Sequence, residues 1–85
     1  MTNKNLIEFY SETCRPCKIM LPMAEKAAKE AGIPVSKYEI VKESEKAEEY
    51  RVKSVPTLIL MSEGAEVRRL VGAVSKNELE NFLKS

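Results

Sequence analysis

Cys14-Arg15-Pro16-Cys17 constrains this chain most, because it holds both cysteines and sits where an apolar run meets a helical pattern. Leu6-Ile7-Glu8-Phe9-Tyr10 precedes it, and helical periodicity begins at Lys18. Backbone N–H groups left unpaired at a helix N-terminus, together with the helix dipole, favour negative charge. Such a site lowers a thiol's pKa and populates the nucleophilic thiolate. Cys17 lies one turn further on, within reach of a mixed disulfide formed at Cys14. The pattern reads as a dithiol–disulfide exchange site at a strand-to-helix junction.

Three plainer readings fit less well. A structural disulfide this local closes a very small loop, worth about 2 kcal/mol on chain-entropy grounds, where longer loops gain more. Half of a zinc site lacks partners, since structural zinc takes four ligands and the chain has no histidine and no further cysteine. A pair of inert buried thiols is at odds with Arg15 and Lys18, which make the surroundings cationic.

With 85 residues the chain reads as one domain over 1–85, long enough to build a core without staples. Its 14 basic and 13 acidic side chains leave a net charge of +1, which gives no electrostatic case for nucleic acid or an anionic membrane. Met1-Thr2-Asn3-Lys4 leads directly into a strand-like run, and no stretch resembles a signal peptide or a membrane span. A reducing cytoplasm is the expected location, where a catalytic disulfide is at home and a permanent one is not.

Periodicity predicts a strand over 6–10 and a helix over 15–31, with Met20, Leu21, Ala24, Ala27, Ala28 and Ala31 on its apolar face. Pro22 should kink that helix, and Gly32 with Pro34 should stop it. A second strand is expected over 35–41, a short charged helix over 43–50, and a fully covered apolar strand over 57–61. Glu63-Gly64 marks a hairpin turn returning through 67–71. Ser75 with Glu78 forms a capping box that opens a last helix with Leu79, Phe82 and Leu83 inward. A right-handed crossover makes the first two strands parallel, and the hairpin adds two antiparallel ones. The expected fold class is α/β, a small mixed sheet with helices on both faces.

Taken together, the motifs resemble the thioredoxin family. Cys-x-Pro-Cys-Lys at 14–18, Pro22, Val55-Pro56-Thr57 and Val71-Gly72-Ala73 follow the family order at nearly the family spacing. The resemblance covers nearly the whole chain and implies a thioredoxin-like fold of four strands and three helices, shortened by the loss of the initial strand and helix. The second strand then becomes a sheet edge, where Pro34, Lys37 and Glu39 are residue types that discourage edge-to-edge pairing. This shortened outline is similar to glutaredoxins and the small glutaredoxin-like thioredoxins. The resemblance implies that Cys14 is the nucleophile and Cys17 the resolving thiol, and that Pro56 is cis and faces them. Without it, Pro56 reads as an ordinary trans proline opening a strand. It also implies that Glu8 stands where the family has a buried aspartate acting as proton acceptor, with Lys37 as its partner on the neighbouring strand. Arg15, Pro16, Val55, Pro56 and Gly72 become the surface that receives substrate.

Two departures are specific to this chain. Thr13 replaces the usual tryptophan, removing an aromatic contact, and Arg15 replaces the usual glycine. A cation beside Cys14 stabilises its thiolate and hence the reduced state. The function implied is a monomeric protein-disulfide reductase with no bound cofactor, acting on disulfide-containing proteins, with ribonucleotide reductase as a family-level candidate. Electrons would come from a thioredoxin reductase, an NADPH-dependent flavoprotein. The alternatives are a glutathione-dependent glutaredoxin, against which Gly72-Ala73-Val74-Ser75 stands in place of a Gly-Gly turn followed by an acid, and a non-catalytic interaction subunit of the same fold.

Overall fold

The computed structural model describes residues 3–85; Met1 and Thr2, the start of the lead-in to the first strand, lie outside the described residues. The elements are β1 (Lys4–Tyr10), α1 (Arg15–Glu30), β2 (Val35–Glu39), α2 (Ser44–Glu49), β3 (Thr57–Ser62), β4 (Ala65–Val71) and α3 (Lys76–Leu83). They form one four-stranded sheet in the order β2-β1-β3-β4. β1 runs parallel to β2 and antiparallel to β3, and β3 runs antiparallel to β4. The expected α/β architecture with a mixed sheet is therefore the observed one, and β2 and β4 are its edges.

β1 and β3 are largely apolar on both sides, with Glu8 the buried exception in β1, because both faces of the sheet are covered. Leu6, Leu58 and Leu60 lie under α1 and α3, packed with Met20, Ala24, Leu79 and Phe82. Ile7, Phe9 and Ile59 form a smaller core under α2 with Ala47 and Val52. Tyr38 and Tyr50 stand against Phe9 there, at ring-centroid distances of 5.6 and 6.0 Å. Burial of each of these large apolar side chains stabilises the fold by about 1.5–3 kcal/mol before entropy is counted.

Chain reversals follow local chemistry. After α1, Gly32 adopts φ +72°, its N–H donates to Lys29 O at 3.1 Å, and Ile33 N–H donates to Ala28 O at 2.8 Å. That is the paired closure of a Schellman motif, for which glycine costs nothing. α2 ends the same way without glycine: Arg51 takes φ +56°, and Val52 N–H donates to Ala47 O at 2.8 Å. Glu63 and Gly64, at φ +52° and +80°, make the two-residue hairpin turn whose twist suits the flanking strands. Ser75 Oγ accepts the Glu78 N–H at 3.2 Å, so Ser75 is the N-cap its sequence predicts, while the Glu78 carboxylate accepts from the Ser75 hydroxyl at 3.3 Å where a capping box would have it accept from the Ser75 N–H. α1 continues through Pro22 despite the missing N–H.

Candidate active site

β1 delivers the chain to the front of the sheet, and a four-residue loop sets the start of α1. Cys14 N–H donates to Ser11 O at 3.1 Å, and Thr13 N–H donates to Ser11 Oγ at 3.3 Å. Cys14 is the N-cap of α1, with extended backbone, and its Sγ accepts the Cys17 N–H at 3.2 Å. Pro16 occupies the first turn, where its absent N–H is harmless. No acidic residue shares that turn, so the partial positive charge of the helix end is left for the sulfur. Cys14 and Cys17 are joined in a disulfide with Cα atoms 5.3 Å apart. The two sulfurs differ in access: Cys14 is half-buried, while Cys17 is 1% exposed.

Glu8 lies behind the disulfide. Ile7 and Phe9 face α2, while Leu6 and Tyr10 belong to the core on the α1 side. Strand alternation therefore turns Glu8 toward α1, the side on which Cys17 is buried. Glu8 is 0% exposed, and neither carboxyl oxygen has a hydrogen-bond partner among the described residues. Burial pushes its pKa up from 4.5 to about 8; Glu25 adds to the rise through its negative charge and proximity, and Lys37 opposes it. The Glu8 and Glu25 carboxyls do not reach hydrogen-bonding geometry.

A cavity of about 420 Å³ opens beside these groups, bounded by Tyr10, Cys17, Pro22, Glu25 and Lys37. Lys37 stands opposite Glu8 in the β1–β2 register. Its ammonium nevertheless pairs with Glu25 Oε2 at 3.4 Å and lies 5.6 Å from the Tyr10 ring centroid. Pro22 thus does more than shape a helix, since it forms part of this wall.

The Val55–Pro56 peptide bond is cis, and Gly72 N–H donates to Pro56 O at 2.8 Å. Val55 and Val74 pack against the same core as Cys14. A second, apolar groove of about 360 Å³ runs along Arg15, Pro16, Ile19, Met20, Ala73 and Val74, with Ile19 74% exposed. Arg15 and Pro16 are thereby brought beside the Gly72 loop.

Two site residues escaped the sequence reading. Glu25 follows Cys17 and Leu21 at four-residue steps, so helical periodicity alone places it on the stripe that carries the buried cysteine. Glu39 is the other. Read as an edge charge, it is instead only 9% exposed, and it accepts three backbone N–H bonds: Glu12 at 3.1 Å, Val41 at 2.7 Å and Lys42 at 3.1 Å. Those bonds hold its carboxyl below the usual carboxylate range. They tie the loop that presents Cys14 to the loop after β2, and an ion pair between Lys42 and Glu12 crosses the same gap. No spacing rule signals this role, because the tie joins residues 27 apart in sequence.

Among the described residues, no group of three or more His, Cys, Asp or Glu side chains is placed to hold a metal ion. No helix among them is long and apolar enough to cross a membrane.

Known proteins resemble the chain over nearly its whole length. A family model described as Thioredoxin matches residues 1–85. A thioredoxin of Chlamydia pneumoniae is 40% identical over 79 residues, covering 92% of this chain and 78% of the relative. A thioredoxin of Mycoplasmoides gallisepticum is 34% identical over 85 residues, covering 98% and 85%. Among solved structures, a mutant thioredoxin of Halobacterium salinarum superposes with a TM-score of 0.90 at 29% identity, covering 96% of this chain and 73% of its own. Mitochondrial thioredoxin 3 of Saccharomyces cerevisiae, in its oxidised form, gives 0.87 at 28% identity, with coverage of 99% and 79%.

Proposed function

This chain belongs to the thioredoxin family and is a thiol-disulfide oxidoreductase, a protein-disulfide reductase with an active-site dithiol; we propose that Cys14 is its attacking thiol and Cys17 its resolving thiol. The observation that carries this assignment is the asymmetry of access: Cys14 caps the helix at the surface, and Cys17 is buried one turn behind it. The Cys14 thiolate, favoured at a helix N-terminus, attacks one sulfur of a substrate disulfide. The substrate S–S bond breaks, one substrate thiolate leaves and takes a proton from water, and a mixed disulfide forms at Cys14. Cys17 then gives its proton to the Glu8 carboxylate and attacks Cys14 Sγ. The mixed disulfide breaks, the second substrate thiolate leaves, and two electrons have passed from the dithiol to the substrate.

Glu8 suits proton exchange because a buried carboxyl with a pKa near neutrality is a usable base and, once loaded, a usable acid. Lys37 influences that exchange through its charge. Arg15, Pro16, Val55, Pro56 and Gly72 form the substrate-facing surface of a single domain spanning 1–85, acting as a monomer. The apolar groove beside Arg15 and Pro16, and the packing of Val55 against the core that Cys14 also joins, support the substrate-facing role. The domain carries no cofactor of its own. An NADPH-dependent flavoprotein, a thioredoxin reductase, returns the electrons in the cytoplasm, and ribonucleotide reductase is a substrate to test first.

The experiment is a trapping assay with a protein disulfide substrate. Cys17→Ser should accumulate a covalent mixed disulfide at Cys14, and Cys14→Ser should form none. Trapping in the opposite variant would reverse the assignment, and undiminished turnover in both would remove the dithiol from the activity.

A further inference from the structure

Lys37 is the register neighbour of Glu8, yet its ammonium lies 3.4 Å from Glu25 Oε2. Neither Glu8 oxygen has any hydrogen-bond partner among the described residues. Glu25 and Lys37 therefore line the cavity beside Cys17 while Glu8 is buried outside its lining, and the more exposed carboxyl holds the ammonium. We propose that Glu25 is a positioning residue for proton transfer at Cys17: it draws Lys37 to the cavity rim, away from Glu8, and so leaves Glu8 as the group that keeps the proton. The inference rests on the reading of Glu8 as the proton partner of Cys17 and names the residue that governs it.

The surroundings make Lys37 the decisive charge. Around the cavity, α1 contributes Cys17, Lys18 and Glu25, β2 contributes Lys37, and β1 with its following loop contributes Tyr10 and Glu12. The β3 residue opposite Glu8 is Leu58, which carries no charge. A cation within about 4–6 Å of a carboxyl favours its ionised form by about 1–3 pH units. With Lys37 engaged by Glu25, Glu8 forgoes most of that help, and the charge of Glu25 acts against its ionisation. At neutral pH Glu8 is then loaded for the recharging half of the cycle. When an incoming dithiol opens the Cys14–Cys17 bond and supplies two electrons, Glu8 hands its proton to the Cys17 sulfur and remains a carboxylate until Cys17 returns that proton in its next attack on a mixed disulfide.

The test uses the oxidised protein, in which neither cysteine titrates, and follows the Glu8 carboxyl by carbon-13 NMR across pH. Glu25→Gln should lower the Glu8 midpoint by about one pH unit or more as Lys37 is released toward it. Lys37→Met should raise the midpoint. In the Lys37→Met background, Glu25→Gln should keep less than half of its effect, because no ammonium remains to be released. A midpoint that Glu25→Gln does not lower, or a shift that stays at half or more without Lys37, overturns the proposal. The pH profile for reduction of the disulfide by dithiothreitol separates the two readings. If Glu8→Gln leaves that profile unchanged, Glu8 is not the proton partner of Cys17, whatever the NMR midpoints do.

Discussion

A fully buried carboxyl with no partner among the described residues should make the stability of the oxidised protein fall as pH rises through neutrality. Below pH 4.5 the folded and unfolded chains both hold the Glu8 proton. Between 4.5 and about 8 the unfolded chain has released it while the folded chain retains it, so each step upward favours unfolding. Above about 8 both forms have lost the proton and the penalty is constant. The window spans about 3.5 pH units, each worth about 1.36 kcal/mol, so the loss approaches about 5 kcal/mol. A domain of this size has only about 4–13 kcal/mol in total, which makes the effect large. Glu39 and Glu66, whose carboxyls are held below the usual range by hydrogen bonds, lose their contributions only as pH falls through the acid range. Lys42 and Lys46 are shifted upward by their Glu partners and matter only above the window. Urea unfolding of the oxidised protein from pH 5 to pH 8.5 isolates Glu8, with Glu8→Gln as the reference that cannot titrate. About 4 kcal/mol of that loss falls between pH 5 and 8.5, so at a slope of about 1–3 kcal/mol per molar the wild-type midpoint should fall by about 1–4 M across the range. The variant should stay nearly level, beginning lower at pH 5 because a buried amide leaves its N–H groups unpaired at a cost of about 1–3 kcal/mol. Parallel curves for the two proteins would refute the burial argument.

Other perturbations are smaller. Arg15→Gly should make the Cys14–Cys17 couple more reducing by about 5–20 mV, since an exposed cation beside a thiolate is worth about 0.2–1 kcal/mol. Equilibration against glutathione and dithiothreitol buffers measures it, and an equal or higher potential in the variant would sink the idea. Glu39→Ala orphans the amides of Glu12, Val41 and Lys42, whose hydrogen exchange should accelerate by about tenfold or more, while β3 amides should be little affected. Arg51→Gly should stabilise the protein by about 0.5–1 kcal/mol, because φ +56° costs a side chain energy that glycine avoids; thermal unfolding at fixed pH decides it.

Much of the fold was legible because its signals are local. The strand-to-helix junction at Cys14, the stop at Gly32, the turn at Glu63-Gly64 and the Ser75 cap each depend on residues within a turn of one another. The structure follows all four. Strand edges moved by a residue or two, as at β2, which ends at Glu39 rather than Val41. There the Glu39 carboxyl captures the Val41 and Lys42 amides and turns the chain away. The ending of α2 at Arg51 had no glycine to announce it.

By itself, then, the sequence determined the order of elements, the placement of the dithiol at a helix N-terminus and the family to which the chain belongs. Tertiary structure decided which charged side chain meets which. Glu8 became a carboxyl with no hydrogen-bond partner among the described residues because α1 covers that side of β1, and Lys37 chose Glu25 over its register neighbour. Glu39 folded inward to bind a loop 27 residues away. Helix periods, caps and turns are set by neighbours along the chain. Ion-pair choice is set by which long side chains converge in space once distant elements have packed.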